Sequence, residues 1–495
     1  MKFLINIWQQ LVGVSPFKGD ILPSRVRLFE GGRPCLPLPH VFNYKTPLRI
    51  FEAFYTHAKS QDVSERHNRY LYIAGMPPVL LTREPAVIKA ILMATGDLPG
   101  QFDRDTDPTA GIARATGVNS LLYANGKIWR RQKKMAGRPF SKGSLYQPEE
   151  FHEFEQTFRK TIGERLGLLR DAQQARGEKV SRIEIEPEVH PVMLEMLVNN
   201  FFGGSVEYQE LRERYVPALL SLIDHMVSDT VAPRLYALHR IIFGKNAQLR
   251  RWRSDLEELT DIALVGRKEG LGLWKNFIAE VEDEEALRSN IKVFLAGALE
   301  ATTSFAAWTI SHLARRPDLQ EQLYDEVKNL HVYNPENLEE AKLLRNCMNE
   351  TLRLTPSLYF FPRKATVDTW ITVDENRKMM IPKGTTIRLD IWNANRSEDF
   401  WGEDITGFPA DAYAPERWDV LAQKGARPKD FMHFGFGLGP RVCPGKFLGQ
   451  LEVGLVVGAF IKVFRFEAVN KTAGARAGVT TKPGDNVLLN LQLRC

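Results

Sequence analysis

The sequence predicts a mainly α protein with a small β portion, and three observations carry that expectation. From Ser144 to Leu330 prolines are few and charges recur at helical spacing, the pattern of successive amphipathic helices. Inside that stretch Ile291 to Leu313 is mostly apolar, its charges being Lys292 and Glu300, and a helix apolar on all sides is a buried one. After Pro356, short strand-like runs at Trp370–Val373, Met379–Ile381 and Thr385–Leu389 alternate with turn residues. A chain of 495 residues also exceeds the ~250–300 at which single cores stop growing, which suits two domains or a large enzyme built around a buried cofactor.

In chain order, Met1 to Val14 is apolar and carries Trp8, but Gln9 and Gln10 interrupt it and it is short for a signal peptide. Two readings stay open for it: an interfacial helix on a membrane, or an N-terminal helix packed on the body. The Pro-rich stretch Arg33 to Pro39 reads as a stiff extended connector, so the expected division is 1–33 as an N-terminal segment and 34–495 as the functional domain. Val79-Leu80-Leu81 reads as a strand, and Gln101 to Gly126, rich in Gly, Asp and Thr, as a long loop. A Gly-rich loop precedes a helix from about Lys446 to Phe464, and a strand pair closes the chain. No run reaches the ~18–20 uninterrupted apolar residues of a spanning helix.

Composition narrows the functional classes. A hydrophobic share of 44% with 25% charged residues is that of a globular protein and argues against long disorder. The net charge of +6 is modest, and basic residues do not form a stripe interleaved with exposed aromatics, so no nucleic-acid partner is expected. The four cysteines, Cys35, Cys347, Cys443 and Cys495, lack paired spacing, which gives neither a disulfide framework nor a zinc pattern.

The most specific feature is the run from Phe434 to Gly445, in which Phe436, Gly439, Arg441, Cys443 and Gly445 stand at F-x-x-G-x-R-x-C-x-G. Gly437 and Gly439 permit a tight turn and a close approach to a flat group. Cys443 precedes a helix start, whose dipole favours thiolate over thiol. A dinucleotide-binding glycine loop would need a preceding strand and a βαβ unit, and neither is present. A structural buried cysteine is the other bland reading.

This signature resembles the heme-binding loop of the cytochrome P450 family, in which the cysteine thiolate holds the iron. Other segments fall in the family's order. Glu350-Thr-Leu-Arg353 resembles its E-x-x-R helix, and Pro415-Glu416-Arg417-Trp418 its P-E-R-F/W motif. The resemblance implies a buried Glu350–Arg353–Arg417 network. Trp129 and Lys133 resemble the W-x-x-x-R helix, with Phe140 downstream and Lys in place of Arg. His433 stands where the family usually has proline. Gly297-Ala-Leu-Glu300-Ala301-Thr302-Thr303 resembles the oxygen-activation motif, with Ala298 for its glycine and Ala301 for its threonine.

The resemblance implies a P450-like fold with heme b, iron protoporphyrin IX, between a long central helix and the cysteine loop. Cys443 would be the metal ligand, while Trp129, Lys133, Arg363, Phe436, Arg441 and Gly445 would bind the cofactor, the cationic ones through its propionates. Glu300 and Thr302 would be catalytic in proton delivery, Thr302 through a local distortion of the helix. It further implies a monooxygenase acting on an apolar small molecule with O₂. Its electrons would come from NAD(P)H through a separate reductase or ferredoxin, and Arg130, Arg131, Lys133, Lys134, Arg138 and Lys446 could face such a partner. Leu358-Tyr359-Phe360-Phe361 is expected either to wall an apolar pocket or to pack the core. The expected state is a monomer, cytoplasmic or held peripherally on a membrane facing the cytoplasm. Two rivals stand beside this: a peroxide-driven oxygenase or lipid-hydroperoxide isomerase or dehydratase on the same heme, and a non-enzymatic helical binder with a structural cysteine.

Overall fold

The computed structural model describes residues 15–26, 29–30, 33–34, 48, 51, 55, 63–72, 77–95, 101–104, 111–137, 140–145, 148–231, 233–276, 283–330, 340–425 and 433–494. The Met1–Val14 segment, with the expectations placed on it, lies outside these residues. So do residues 35–39 of the Pro-rich stretch and Arg138. The chain is mainly α with small sheets, as the helical spacing and the short strand-like runs predict, and it falls into two compact units. One comprises residues 1–106, 125–127 and 358–443; the other comprises 107–124, 128–357 and 444–495.

The first unit is built on a six-stranded mixed sheet. Its order is Ser24–Arg25, Asn68–Leu71, Val79–Thr82, Thr386–Asp390, Phe360–Ala365 and Phe102–Asp103. Val79–Thr82 runs parallel to Thr386–Asp390, with Leu80 opposite Ile387, and antiparallel to Asn68–Leu71. Leu80, Ile387 and Leu389 are fully buried, and they form one core with Ile88, Ile91, Phe102 and Phe434. Burying each such side chain is worth about 1.5–3 kcal/mol. The Pro85–Met93 helix feeds this core through Val87, Ile88, Ile91 and Leu92, the spacing that puts one face inward. A second sheet pairs Lys18–Gly19, Lys378–Ile381 and Thr369–Thr372. Of the Pro-rich stretch, Arg33–Pro34 pairs antiparallel with Phe29–Glu30.

The second unit is helical. Its longest helix, Glu284–Leu313, spans 30 residues or about 45 Å. It begins well before Ile291 because Asp283 caps it, the carboxylate accepting from the Ala286 N–H at 3.0 Å. Arg288 in the added turns pairs with Asp261 at 2.7 Å, so charge there lies on one side only. The helix is long and apolar enough to cross a membrane, yet 61% of its most apolar window is buried within the protein. It packs against the Glu186–Glu195, Lys342–Leu354 and Lys446–Val463 helices. The loop expected over Gln101–Gly126 contains a helix, Gly111–Thr116, and a short strand, Phe102–Asp103. Six residues of Gly, Ala, Thr, Ile and Arg carry too little apolar periodicity to announce a helix.

The Lys446–Val463 helix is apolar around its whole circumference and buried, with one acid inside it, Glu452. Burial alone pushes the Glu452 carboxyl up to about 8. The folded state therefore holds a proton that the unfolded chain releases near its ordinary value of 4.5, and stability falls as pH rises from there to about 8. Glu452→Gln is expected to remove that fall, on the order of 4 kcal/mol across the window. Unfolding midpoints of both proteins between pH 5 and 8 check this. Parallel pH curves would contradict it.

Candidate functional site

The cysteine loop is fixed at its head by Phe434, which is buried in the sheet core at the unusual φ of 51°. His433 supplies the local support: its Nδ1 accepts the Gly435 N–H at 3.0 Å, its carbonyl accepts from the Asn395 amide at 2.7 Å, and its ring stands edge-on to Trp418. A proline could not accept that N–H, which gives a physical reason for the departure from the family pattern. The Gly437 N–H bonds the Phe434 carbonyl at 2.8 Å, and the Cys443 N–H bonds the Phe436 carbonyl at 2.9 Å. Gly439 has φ +71°, and a Cβ there would sit 2.5 Å from the Leu92 carbonyl oxygen, so only glycine fits. These constraints close the loop and leave the Cys443 side chain exposed. Two residues on, Gly445 accepts the Gly449 N–H at 2.8 Å and starts the 18-residue Lys446–Val463 helix.

Beside the loop, in the same unit, Arg363 and Arg441 are buried, with Arg104 and Asp103 near them. Arg441 donates to the Asn125 side-chain oxygen at 2.6 Å and lies 3.7 Å from Asp103. Arg363 donates to Thr95 Oγ1 at 3.2 Å and to its neighbour's carbonyl at 2.8 Å. Burial, then Arg104, pulls the Arg441 guanidinium down to about 9; burial followed by Arg104 and Arg441 depresses that of Arg363. Asp103 is the one acid opposing this. Three guanidinium groups against one carboxylate favour a further anion, and the two propionates of a heme fit that charge balance. Among the described residues no three His, Cys, Asp or Glu side chains cluster as a metal site. A porphyrin would supply the further ligands that a metal at Cys443 requires.

In the second unit Trp129 is buried on the Gly126–Gly137 helix, and the Lys133 ammonium lies 5.3 Å from its ring centroid. Gln132 on the same helix accepts from Asn290 at 2.6 Å, and Asn290 accepts the Leu121 N–H at 2.7 Å. This ties that helix to the Glu284–Leu313 helix.

Glu300 is buried with both carboxylate oxygens occupied: Oε1 accepts from Lys482 at 2.7 Å and Oε2 from Thr480 at 2.7 Å. Lys482 also lies 3.7 Å from Glu186, which pairs with Arg476 at 2.6 Å. The His190 Nδ1 faces the Glu186 carbonyl at 2.9 Å and its Nε2 faces Lys482 at 3.5 Å. Burial, then Lys482, takes His190 down to about 3, so the ring is neutral and presents a lone pair to the ammonium. The result is a chain of alternating charge from Arg476, its side chain 40% exposed, inward to Glu300. Sequence reading found Glu300 but missed its partners. No local signal marks them: Lys482 stands in a polar Thr480-Thr-Lys-Pro-Gly-Asp485 run among other charged residues.

The Glu284–Leu313 helix runs through residue 302 as a regular α-helix, without the expected distortion. The Thr302 hydroxyl donates to the Ala298 carbonyl at 2.6 Å, and its methyl group would lie 3.7 Å from a Cβ on Gly449. Thr302 thus faces the Lys446–Val463 helix. Ser357 donates to the Ala301 carbonyl at 3.0 Å. Glu350 and Arg353 are fully buried on their helix and form a fork at 2.8 and 2.9 Å. Arg417, in the first unit, donates to the carbonyls of Trp401, Phe408 and Pro409 and to Thr406. Tyr359 meets the Phe51 ring at a tilt and Phe360 meets it edge-on, while Phe361 packs against the sheet core.

Comparison with known proteins agrees with this geometry. Residues 55–477 match the family description "Cytochrome P450". The chain is 25% identical over 420 residues to a cytokinin hydroxylase of Arabidopsis thaliana, covering 80% of this chain and 75% of that protein. It is 25% identical to the 11-oxo-beta-amyrin 30-oxidase of Medicago truncatula, covering 81% and 75%. It is 26% identical to the cytochrome P450 monooxygenase alt2 of Alternaria solani, covering 76% and 74%.

Proposed function

The chain belongs to the cytochrome P450 family, and from that premise we propose that it places one oxygen atom of O₂ into an apolar small molecule, by hydroxylation or epoxidation. The observation that carries this is the exposed Cys443 on a rigid loop beside the buried Arg363–Arg441 cluster. Bound there, heme b supplies the oxidising chemistry, and the protein supplies position, protons and a path for electrons. Cys443 ligates the iron; Phe436 and Gly445 shape the loop around it. Arg363, Arg441, Trp129 and Lys133 hold the propionates. Electrons derive from NAD(P)H through a separate reductase or ferredoxin, which the exposed Arg131, Lys134 and neighbouring cations suit. The protein works on the cytoplasmic side, free or peripherally bound to a membrane.

Glu300 is the proton carrier. Lys482 is its positioning residue, holding Oε1 until the ammonium shifts toward Glu186 and releases the carboxylate. Thr302, two residues beyond Glu300 on the same helix and anchored on the Ala298 carbonyl, supplies a second proton-bearing group on the face toward the Lys446–Val463 helix. Glu300→Gln and Thr302→Ala are expected to divert reducing equivalents from product to peroxide or water, lowering product formation roughly 10²-fold with substrate binding intact. Product formed per NAD(P)H consumed measures this. Coupling unchanged in both variants would defeat the assignment.

One observation favours a second reading. Ala301 stands at the family's threonine position and Glu300 is held by an ion pair, which suits a peroxide-driven oxygenase or a lipid-hydroperoxide isomerase or dehydratase. Turnover with peroxide that does not respond to a reductase would select it.

A further inference from the structure

Away from Cys443 and Glu300, arginines from two helices meet a single buried acid, and a third arginine lies in their field. Arg114 of the Gly111–Thr116 helix pairs with Asp229 of the Val216–Val231 helix. Arg240 of the Pro233–Ile242 helix lies 3.8 Å from the same carboxylate. Arg253 of the Asn246–Lys268 helix is half-buried, and Arg114 and Arg240 both repel it. Among the described residues it has no acid partner, and its buried Nε makes no hydrogen bond. His225, 97% buried, sits in the field of all three arginines. Its Nδ1 meets the Tyr236 hydroxyl at 3.0 Å, and its buried Nε2 has no partner among the described residues.

Such a cluster is costly as it stands. Desolvated guanidinium groups of like sign repel, and donors left without acceptors forfeit their hydrogen bonds. Burial, then Arg240, Arg253 and Arg114, brings His225 down to about 4, so its ring is neutral and adds no charge at pH 7. Asp229 offsets one of the three guanidinium charges, and two remain, shared by Arg240 and Arg253. A carboxylate beside Arg253 and Arg240 halves that excess, accepting from their Nε–H groups, which make no hydrogen bond.

The surroundings say what the anion is attached to. The Pro233–Ile242 helix and its next residue present Leu238, Ile241, Ile242 and Phe243, at 55, 69, 66 and 64% exposure. Gly117, just after the Arg114 helix, abuts Ser289 of the Glu284–Leu313 helix. Ser289 and Glu300 are about 16 Å apart along that helix. A carboxylate held at this end thus leaves an extended apolar chain to reach toward Glu300.

We propose that Arg253, Arg240 and His225 form a binding subsite for the carboxylate of an amphiphilic carboxylic acid. Naming that acid as the substrate rests on the monooxygenase reading above; the binding itself does not. The test is calorimetric titration of the heme-loaded full chain with dodecanoate and with dodecanol, in the wild type and in Arg253→Met. Dodecanoate is expected to bind about tenfold more tightly than dodecanol, and Arg253→Met to erase the difference. Asp229→Asn removes the competing carboxylate and is expected to tighten dodecanoate, which reads the site even if Arg253→Met fails to fold. Equal affinities for acid and alcohol in the wild type would overturn the proposal. So would an Arg253→Met protein that keeps the preference, or Asp229→Asn weakening dodecanoate. A fourth overturning result is loss of binding to phosphatidylserine vesicles with dodecanoate affinity unchanged, which would make the cluster a lipid-headgroup contact. The carbon monoxide spectrum of the reduced protein, read alongside, separates failure of this subsite from failure of the heme-thiolate assignment.

Discussion

Replacing Cys443 with serine is expected to abolish monooxygenase turnover while leaving the fold intact. The side chain is exposed, and the loop is held by other bonds: Phe434 in the core, the Cys443 N–H on Phe436, and Gly439 against Leu92. A serine keeps all of these. It removes the soft, electron-rich sulfur, whose donation the oxidative chemistry requires, and a hydroxyl ionises too weakly to replace it. Heme content, unfolding midpoint and product formation should be measured together. A Cys443→Ser protein that turns over near the wild-type rate would show that the cysteine is not the ligand.

The second large effect is on stability. Glu350 and Arg353 have no solvent exposure, and two short bonds join them. Removing either partner strips a buried charge of this fork, so Glu350→Leu or Arg353→Met is expected to cost roughly 3–5 kcal/mol and much of the folded yield. Making both changes removes the charges together and is expected to cost less than either alone. Denaturant midpoints of the two single variants and the double variant check this. Additive losses in the double variant would mean that the pair is not energetically coupled.

How much of this was legible in the sequence depended on the range of the interaction. The cysteine loop was legible because its geometry imposes residue types within a dozen positions: glycine where Leu92 crowds Gly439, cysteine at the exposed tip. The Glu284–Leu313 helix was legible from its apolar content, although its start was not, since Asp283 and the charged turns after it look like a loop. The partners of Glu300 were hidden because Thr480 and Lys482 lie 180 and 182 residues away, and no local pattern encodes that distance. Arg104 and Asp103, which set the electrostatics around Arg363 and Arg441, sit in a stretch that reads as featureless loop. Thr302 was legible as a hydroxyl near the acid, but its bond to the Ala298 carbonyl within an undistorted helix appears only in three dimensions.

The most direct test is the absorption spectrum of the heme-loaded full chain, reduced and saturated with carbon monoxide, at neutral pH. A thiolate from Cys443 would push electron density onto the iron, and the account predicts a Soret band strongly red-shifted from that of a histidine-ligated heme, lost in Cys443→Ser. A Soret band at the histidine-type position in the freshly prepared wild type, or no heme uptake under heme-sufficient expression, would contradict it.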